Sequence, residues 1–216
     1  MNKEKSGNLA VKLLLYFGGL IVMTFGVILS VKSNMGVTPI SSIPYTITVV
    51  FGMDLGLATM LFSALMVLLQ ILILRKQYKI INLLQLPIGI LFGVFLTVCG
   101  KLMAKFPVPE TFIGRFLLML ASTVFVALGV FLYVKPRFVP LAPEGFILAI
   151  TQVTKLQFST IKIIFDVTMV AISLVTCLVM IHSHGSVGLG TVVAALLVGM
   201  EVKLLAKLFE SFRSDK

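Results

Sequence analysis

Long apolar segments separated by short polar links run along almost the whole chain. A membrane-spanning helix needs about 20 mainly apolar residues to cross roughly 30 Å of hydrocarbon. Segments of this length lie at residues 10–32, 54–75, 81–103, 113–134, 157–181 and 187–211. The pattern therefore predicts an all-α polytopic membrane protein, in which residues 1–216 form a single membrane domain.

Two shorter apolar segments interrupt this pattern, at 39–51 and 143–154. Each would be about 20 Å long as a helix, which is short for a full crossing. The first begins inside the sequence SNMGVTPISSIP, which is rich in hydroxyl side chains and in residues that break helices. Non-helical backbone at membrane depth survives only where protein or a water-filled cavity satisfies its polar groups. The alternative is an ordinary surface loop, with Pro39 at the start of a helix.

The two halves of the chain are similar in sequence. When residues 11–70 are set against 114–173, a shift of 103 without a gap, thirteen positions are identical. The composition alone would give roughly 4–5 identities in such a repeat search. With an insertion of three residues, Gly93 then aligns with Gly199. We therefore expect two duplicated halves, at about 11–100 and 114–205, each with one short helix.

Charged residues help to decide between two topologies. The chain is 59% hydrophobic and 12% charged, and its eighteen Lys and Arg residues give a net charge of +10. If the short segments cross, the chain has eight spans, parallel repeats and twelve basic residues on the inner side. If they re-enter, it has six spans, inverted repeats and fourteen inner basic residues. The positive-inside rule favours six spans with inverted repeats and both termini in the cytoplasm.

Several motifs resemble the YczE/YyaS/YitT family of bacterial membrane proteins. The resemblance rests on GVILSVK (Gly26–Lys32), the Asn34–Gly36 break, APEG (Ala142–Gly145) and the closing GLGTVVAALLVG (Gly188–Gly199). It implies a multi-pass protein of the bacterial cytoplasmic membrane, of the short form without the soluble C-terminal domain. It implies no substrate and no functional residues.

Polar residues at or near the breaks are the candidate solute ligands. They carry hydroxyl, amide or carboxyl groups, and inverted-repeat transporters bind substrate at such broken helices. The candidates are Asn34, Thr38, Ser41, Ser42, Glu144 and Gln152. For Gln152, a hydrogen bond between helices is the first interpretation and a role as a ligand the second, and Glu144 also suits the N-terminus of a helix.

An acidic residue lies near the middle of the fifth long segment. A lone Asp166 in hydrocarbon would cost roughly 2.5 kcal/mol or more. Lys162 is four residues earlier and therefore on the same helix face. The two residues can form an ion-coupling site or a self-neutralising pair that helps helices pack, and the sequence leaves both interpretations open.

No catalytic, metal or cofactor motif is present in the sequence, so we expect neither an enzyme nor a bound cofactor or metal. The basic residues flank apolar segments and suit an anionic membrane surface better than nucleic acid. The favoured hypothesis is transport of a small solute between the two halves, with the lipid bilayer as the environment and a homodimer as one assembly. The alternative is a membrane scaffold or regulatory subunit that moves no solute.

Overall fold

The computed structural model describes residues 9–214, with side chains as far as residue 208. All of the regular secondary structure in this part of the chain is helical. Its helices are α1 (Leu9–Ser33), α2 (Pro39–Phe51), α3 (Leu55–Leu74), α4 (Gln85–Leu102), α5 (Phe112–Val134), α6 (Ala142–Thr154), α7 (Phe158–Ile181) and α8 (Leu189–Ser214). Two short 3-10 turns, Arg75–Gln77 and Ile80–Leu84, connect α3 to α4.

Six helices, α1, α3, α4, α5, α7 and α8, are long and apolar enough to span a membrane. Large apolar side chains, such as Leu14, Ile164 and Val179, remain exposed on their outer faces. A helical bundle with an apolar exterior requires a lipid bilayer around it. The chain is therefore a polytopic helical membrane protein, and the predicted fold class is confirmed.

The third long segment differs from the prediction at its start. A helix from residue 81 would place Pro87 in its interior, but residues 80–84 form a 3-10 turn and α4 begins at Gln85. Pro87 consequently lies in the first turn of α4, where backbone N–H groups have no partner within the helix. The proline therefore marks the start of a helix.

The first helices of the two halves cross closely in opposite directions. A Cβ added to Gly26 would lie 2.6 Å from Val126 N, and one added to Gly19 would lie 2.5 Å from Tyr133 N. Gly129 in turn faces the backbone of Met23. Later residues of α1 thus contact earlier residues of α5, so the two helices are antiparallel. Glycine is required here because two backbones touch.

The contacts also show how α2 lies between its neighbours. We call the membrane face at which α1 begins the near face, and the opposite one the far face. Lys32, at the end of α1, donates to Ala104 O just after α4, at 3.1 Å, so both helices end at the far face. Thr97, late in α4, donates to Asp54, which caps the start of α3. Since α1 ends and α3 begins at the far face, α2 enters and leaves on the same side.

A corresponding arrangement holds for α6 at the near face. Gln152, in the last turn of α6, donates to Gln77 Oε1 just after α3, at 2.9 Å. Tyr16, early in α1, donates to Val139 O before α6, at 2.7 Å. At the far face, Gly190 N at the start of α8 donates to Met35 O at 2.7 Å. In the described part of the chain, the six long helices therefore run from one face of the bundle to the other, and α1 begins on the face at which α8 ends.

Helix bounds recur at the shift of 103 that aligned the two halves. The shift carries Pro39–Phe51 onto Ala142–Thr154 and the start of α3 onto the start of α7. It also relates Asn34 to Arg137, both of which have a positive φ, 52° and 56°. These local features agree with a duplication, while the superposition of the two halves remains a prediction.

One pair of long helices does not follow this correspondence. α3 and α4 pack tightly where Gly56 meets Gly93 and where Ser63 meets Gly89. Their counterparts α7 and α8 do not pack along their lengths. A Cβ added to Gly199, the counterpart of Gly93, would meet no atom within 4 Å. The bundle is therefore closed between α3 and α4 and open between α7 and α8.

Candidate functional site

The segment between α1 and α2 is buried although it is not helical. Met35, Gly36 and Val37 are all buried. Val37 N donates to Ser186 O at 3.2 Å, and Met35 O accepts from Gly190 N. The loop before α8 and the first turn of α8 thus supply the hydrogen bonds that this backbone needs inside the bundle.

Three of the predicted solute ligands lie in the first turn of α2 or directly before it. Thr38 donates to Ser41 Oγ at 3.0 Å. Ser42 is fully buried and donates to Pro39 O at 2.7 Å. Ser41 is partly exposed and lines an internal cavity. Of these hydroxyls, that of Ser41 is available to a solute.

The cavity lies between the two short helices and has a volume of about 30 Å³, which is room for a water-sized group. Most of its wall is apolar and comes from α1, α2, α3, α4, α6 and the residue before α6. The lining residues are Met23, Val27, Ile40, Ser41, Pro44, Leu55, Thr59, Phe62, Ser63, Phe92, Leu96, Leu141, Pro143 and Glu144. The polar groups among them are three hydroxyls and one carboxyl.

Glu144 supplies that carboxyl group from the first turn of α6. Its Oε2 atom is buried and has no hydrogen-bond partner. The hydroxyl of buried Tyr133 interacts with the carboxyl group, and the charges of Lys162 and Asp166 lie close enough to act on it. Because a buried charge is costly unless it is paired, this carboxyl group is suited to bind a proton or a cation.

Two glutamines hold the helix that carries Glu144. Gln70 and Gln85 are both 1% exposed. Gln70 Nε2 donates to Gln85 Oε1 at 2.8 Å and to Ala142 O at 3.1 Å. A Cβ on Gly145 would lie within 2.5 Å of Gln85 Nε2, so only glycine lets the two side chains lie against α6. The start of α6 is consequently fixed against α3 and α4.

Lys162 and Asp166 form an ion pair on α7, one helical turn apart. Their side chains are 32% and 19% exposed, and Asp166 Oδ1 is buried without a hydrogen-bond partner. Neither residue lines the cavity, but both act electrostatically on Glu144. The pair is therefore a neighbouring charged group rather than part of the cavity wall.

Two other predicted ligands lie elsewhere. Asn34 is exposed in the turn that ends α1, with a left-handed backbone. Gln152 is exposed at the end of α6, where it pairs with Gln77. Neither borders the cavity, so the structure brings together Ser41 and Glu144 and leaves these two at the surface.

Sequence reasoning missed two hydroxyls in the cavity wall, Thr59 and Ser63. In a membrane helix such residues are common packing groups, and nothing in α3 alone distinguishes them. A signal was nevertheless present in the alignment of the halves, where the shift of 103 relates Thr59 to Lys162 and Ser63 to Asp166. The two hydroxyl residues of the cavity wall thus occupy the positions that correspond, in the other half, to the ion pair of α7.

Comparisons with known proteins identify a family and a relative that is itself a membrane protein. The model of a family of unknown function, DUF6198, matches residues 10–207. The "Uncharacterized membrane protein YczE" of Bacillus subtilis (strain 168) is 25% identical over 186 residues, which are 86% of this chain and 80% of that protein. No solved structure matches the chain. These matches confirm the predicted resemblance to a YczE-like membrane family.

Proposed function

The chain belongs to the DUF6198 family of unknown function, and from its site we propose that it transports a small solute across the membrane. The observation that carries the proposal is the buried carboxyl group of Glu144, which borders a cavity between two short helices. A scaffold gains no stability from a buried carboxyl oxygen that lacks a hydrogen bond, such as Glu144 Oε2, whereas a binding site uses one.

The arrangement of the helices supports alternating access as the mechanism. α1 and α5 are counterparts at the shift of 103 and run antiparallel, as two halves with inverted topology would. We propose that the halves are inverted repeats. In such proteins each half can adopt the conformation of the other, and this exchange opens the central site to alternate faces.

The unequal packing of equivalent helix pairs favours this exchange. In the described state α3 is packed on α4, while α7 and α8 lie apart. In the exchanged state α8 would pack on α7, with Gly199 against Ile163, as Gly93 now packs against Met60.

The positive-inside rule places the near face, and with it both termini, in the bacterial cytoplasm. We assign no catalysis, cofactor or metal to the site, and we keep a homodimer as a prediction.

A disulfide test addresses this mechanism without a known substrate. In a variant whose native cysteines are replaced by alanine, Ile163→Cys and Gly199→Cys should cross-link in the membrane on mild oxidation. Disulfides need Cα atoms within about 7 Å, so the bond forms only if α8 closes on α7.

The matched control replaces Ile163→Cys by Ile164→Cys. Its counterpart Leu61 is 51% exposed on the outer face of α3, so position 164 should face lipid in both states and should not cross-link. Absence of the 163–199 bond, or equal yields for both pairs, would favour the scaffold alternative.

A further inference from the structure

The solute class can be inferred from the charges around the cavity, on the premise that the cavity is the transport site. Among the described residues that line it, Glu144 carries the one ionisable side chain. Lys162, whose charge acts on Glu144 from α7, is engaged by Asp166. The site therefore offers an acidic group with which no cation of the described cavity wall pairs.

The hydroxyls in the wall add hydrogen-bond acceptors to this negative group. Thr59 donates its hydrogen to Leu55 O at 2.7 Å, which leaves its oxygen able to accept from a ligand. Ser41 accepts from Thr38 and keeps a second lone pair. A ligand with several N–H donors and a positive charge fits these groups, and an anion does not.

Size and polarity restrict the ligand further. The cavity of about 30 Å³ admits a group the size of a water molecule, and a primary ammonium head has this size and carries three N–H donors. The rest of the wall is apolar, and the Phe62 and Phe92 rings contribute to it. Aromatic side chains also stabilise a cation that approaches the ring face.

We propose that the protein binds a small primary ammonium ion with a short apolar chain, with the ammonium head on the Glu144 carboxylate. Ser41 and Thr59 accept further hydrogen bonds from the head. The cavity of about 30 Å³ holds the head group alone, so the apolar chain enters along the aliphatic and aromatic wall only when the halves move and widen the site. Binding supplies the partner that Glu144 Oε2 lacks. Because the two charges are desolvated together, the pairing is favoured only when hydrogen bonds complete it.

Calorimetric titration of the purified full chain with three matched probes tests this assignment. The probes are n-butylammonium, 1-butanol and butyrate, which share a chain and differ in the charge of the head group. Saturable binding of n-butylammonium alone is the expected result. Glu144→Gln keeps the size of the side chain and removes its charge, so this variant should bind n-butylammonium at least about tenfold more weakly, the equivalent of 1.4 kcal/mol.

Glu201→Gln is the control variant. Glu201 is a second carboxyl group within a membrane helix, but it accepts from Thr123 on α5 and does not border the cavity. It should bind n-butylammonium as the unaltered protein does. Equal binding of butyrate or 1-butanol, unchanged affinity in Glu144→Gln, or no binding of any probe would overturn the proposal. Cross-linking of α7 to α8 in such a protein would show that the transport mechanism stands although the solute class is wrong.

Discussion

Ser41 and Glu144 border one cavity from two different short helices, and they are 103 residues apart in the chain. This separation is the shift that aligns the two halves, so the two residues are counterparts. One of them is a hydroxyl and the other a carboxyl group. The two positions that the shift relates therefore differ in charge, and under our proposal this difference directs the solute head group to Glu144.

The crossing of α1 and α5 should be sensitive to any added side chain. Gly26→Ala should destabilise the protein by about 1–3 kcal/mol, because the new Cβ lies 2.6 Å from Val126 N and both backbones must separate. Thermal unfolding in detergent measures the effect. Gly18→Ala, on the same helix, meets no atom within 4 Å and should be neutral or stabilising by up to about 1 kcal/mol. Equal losses in both variants would contradict the crossing.

Loss of the Glu144 carboxyl group should not reduce stability. Oε2 has no hydrogen-bond partner, so Glu144→Gln removes a desolvated acidic group and keeps its volume. We expect an unfolding temperature equal to or above that of the unaltered protein, together with the loss of ligand binding. A lower unfolding temperature would mean that the carboxyl group holds α6 in place and that its role is structural.

Substitutions in the ion pair on α7 should separate its effect on stability from a role in transport. Asp166→Asn leaves Lys162 without its charged partner in a partly buried position, and we expect a loss of about 1–3 kcal/mol in the free energy of unfolding. Replacing both residues, by Asp166→Leu and Lys162→Met, should restore most of this stability because no unpaired charge remains.

The same double variant distinguishes the two roles of the pair. The disulfide between Ile163→Cys and Gly199→Cys can be formed in this double variant too. If Lys162 and Asp166 take part in ion coupling, the yield of the disulfide should change. Stability restored together with an unchanged cross-linking yield would show that the pair only neutralises itself.

The buried glutamines and the exposed pair of glutamines form a matched comparison. Gln85→Ala removes the acceptor of Gln70 in a site that is 1% exposed and opens space beside Gly145, so we expect a loss of about 1–3 kcal/mol. Gln152→Ala removes an exposed hydrogen bond to Gln77 and should change stability by less than about 0.5 kcal/mol. If α6 were anchored by its C-terminal end instead, Gln152→Ala would cost more stability than Gln85→Ala.

The helices could be predicted closely from the sequence because lipid imposes a required length on apolar segments. The short helix at 39–51 is found with the predicted bounds, and Asp54 caps α3 by accepting from Leu57 N at 3.1 Å. Asn34 and Gln152 show the limit of this reasoning. Both lie at ends of broken helices, but whether such an end faces the core depends on the turn that precedes or follows it.

The cavity itself could be predicted only in part. Ser41 and Glu144 were predicted because they lie in the first turns of the two short helices, where a helix break at membrane depth indicates a site. Thr59 and Ser63 lie inside an ordinary apolar helix, and their role depends on which face α3 turns toward α6. That orientation is fixed by long-range contacts, such as the one from Gln70 to Ala142, which no local pattern contains.

The central claim is that the site beside Ser41 opens in turn to both faces of the membrane. The most direct measurement is the reaction of Ser41→Cys, without native cysteines, with a membrane-impermeant cationic thiol reagent. The reagent is added in turn to vesicles of either orientation. Asn34→Cys and Gln152→Cys, exposed at the far and near faces, should each react from one face and so calibrate the two preparations. We expect Ser41→Cys to react from both faces, whereas reaction from one face alone or from neither would mean that the site does not alternate between them.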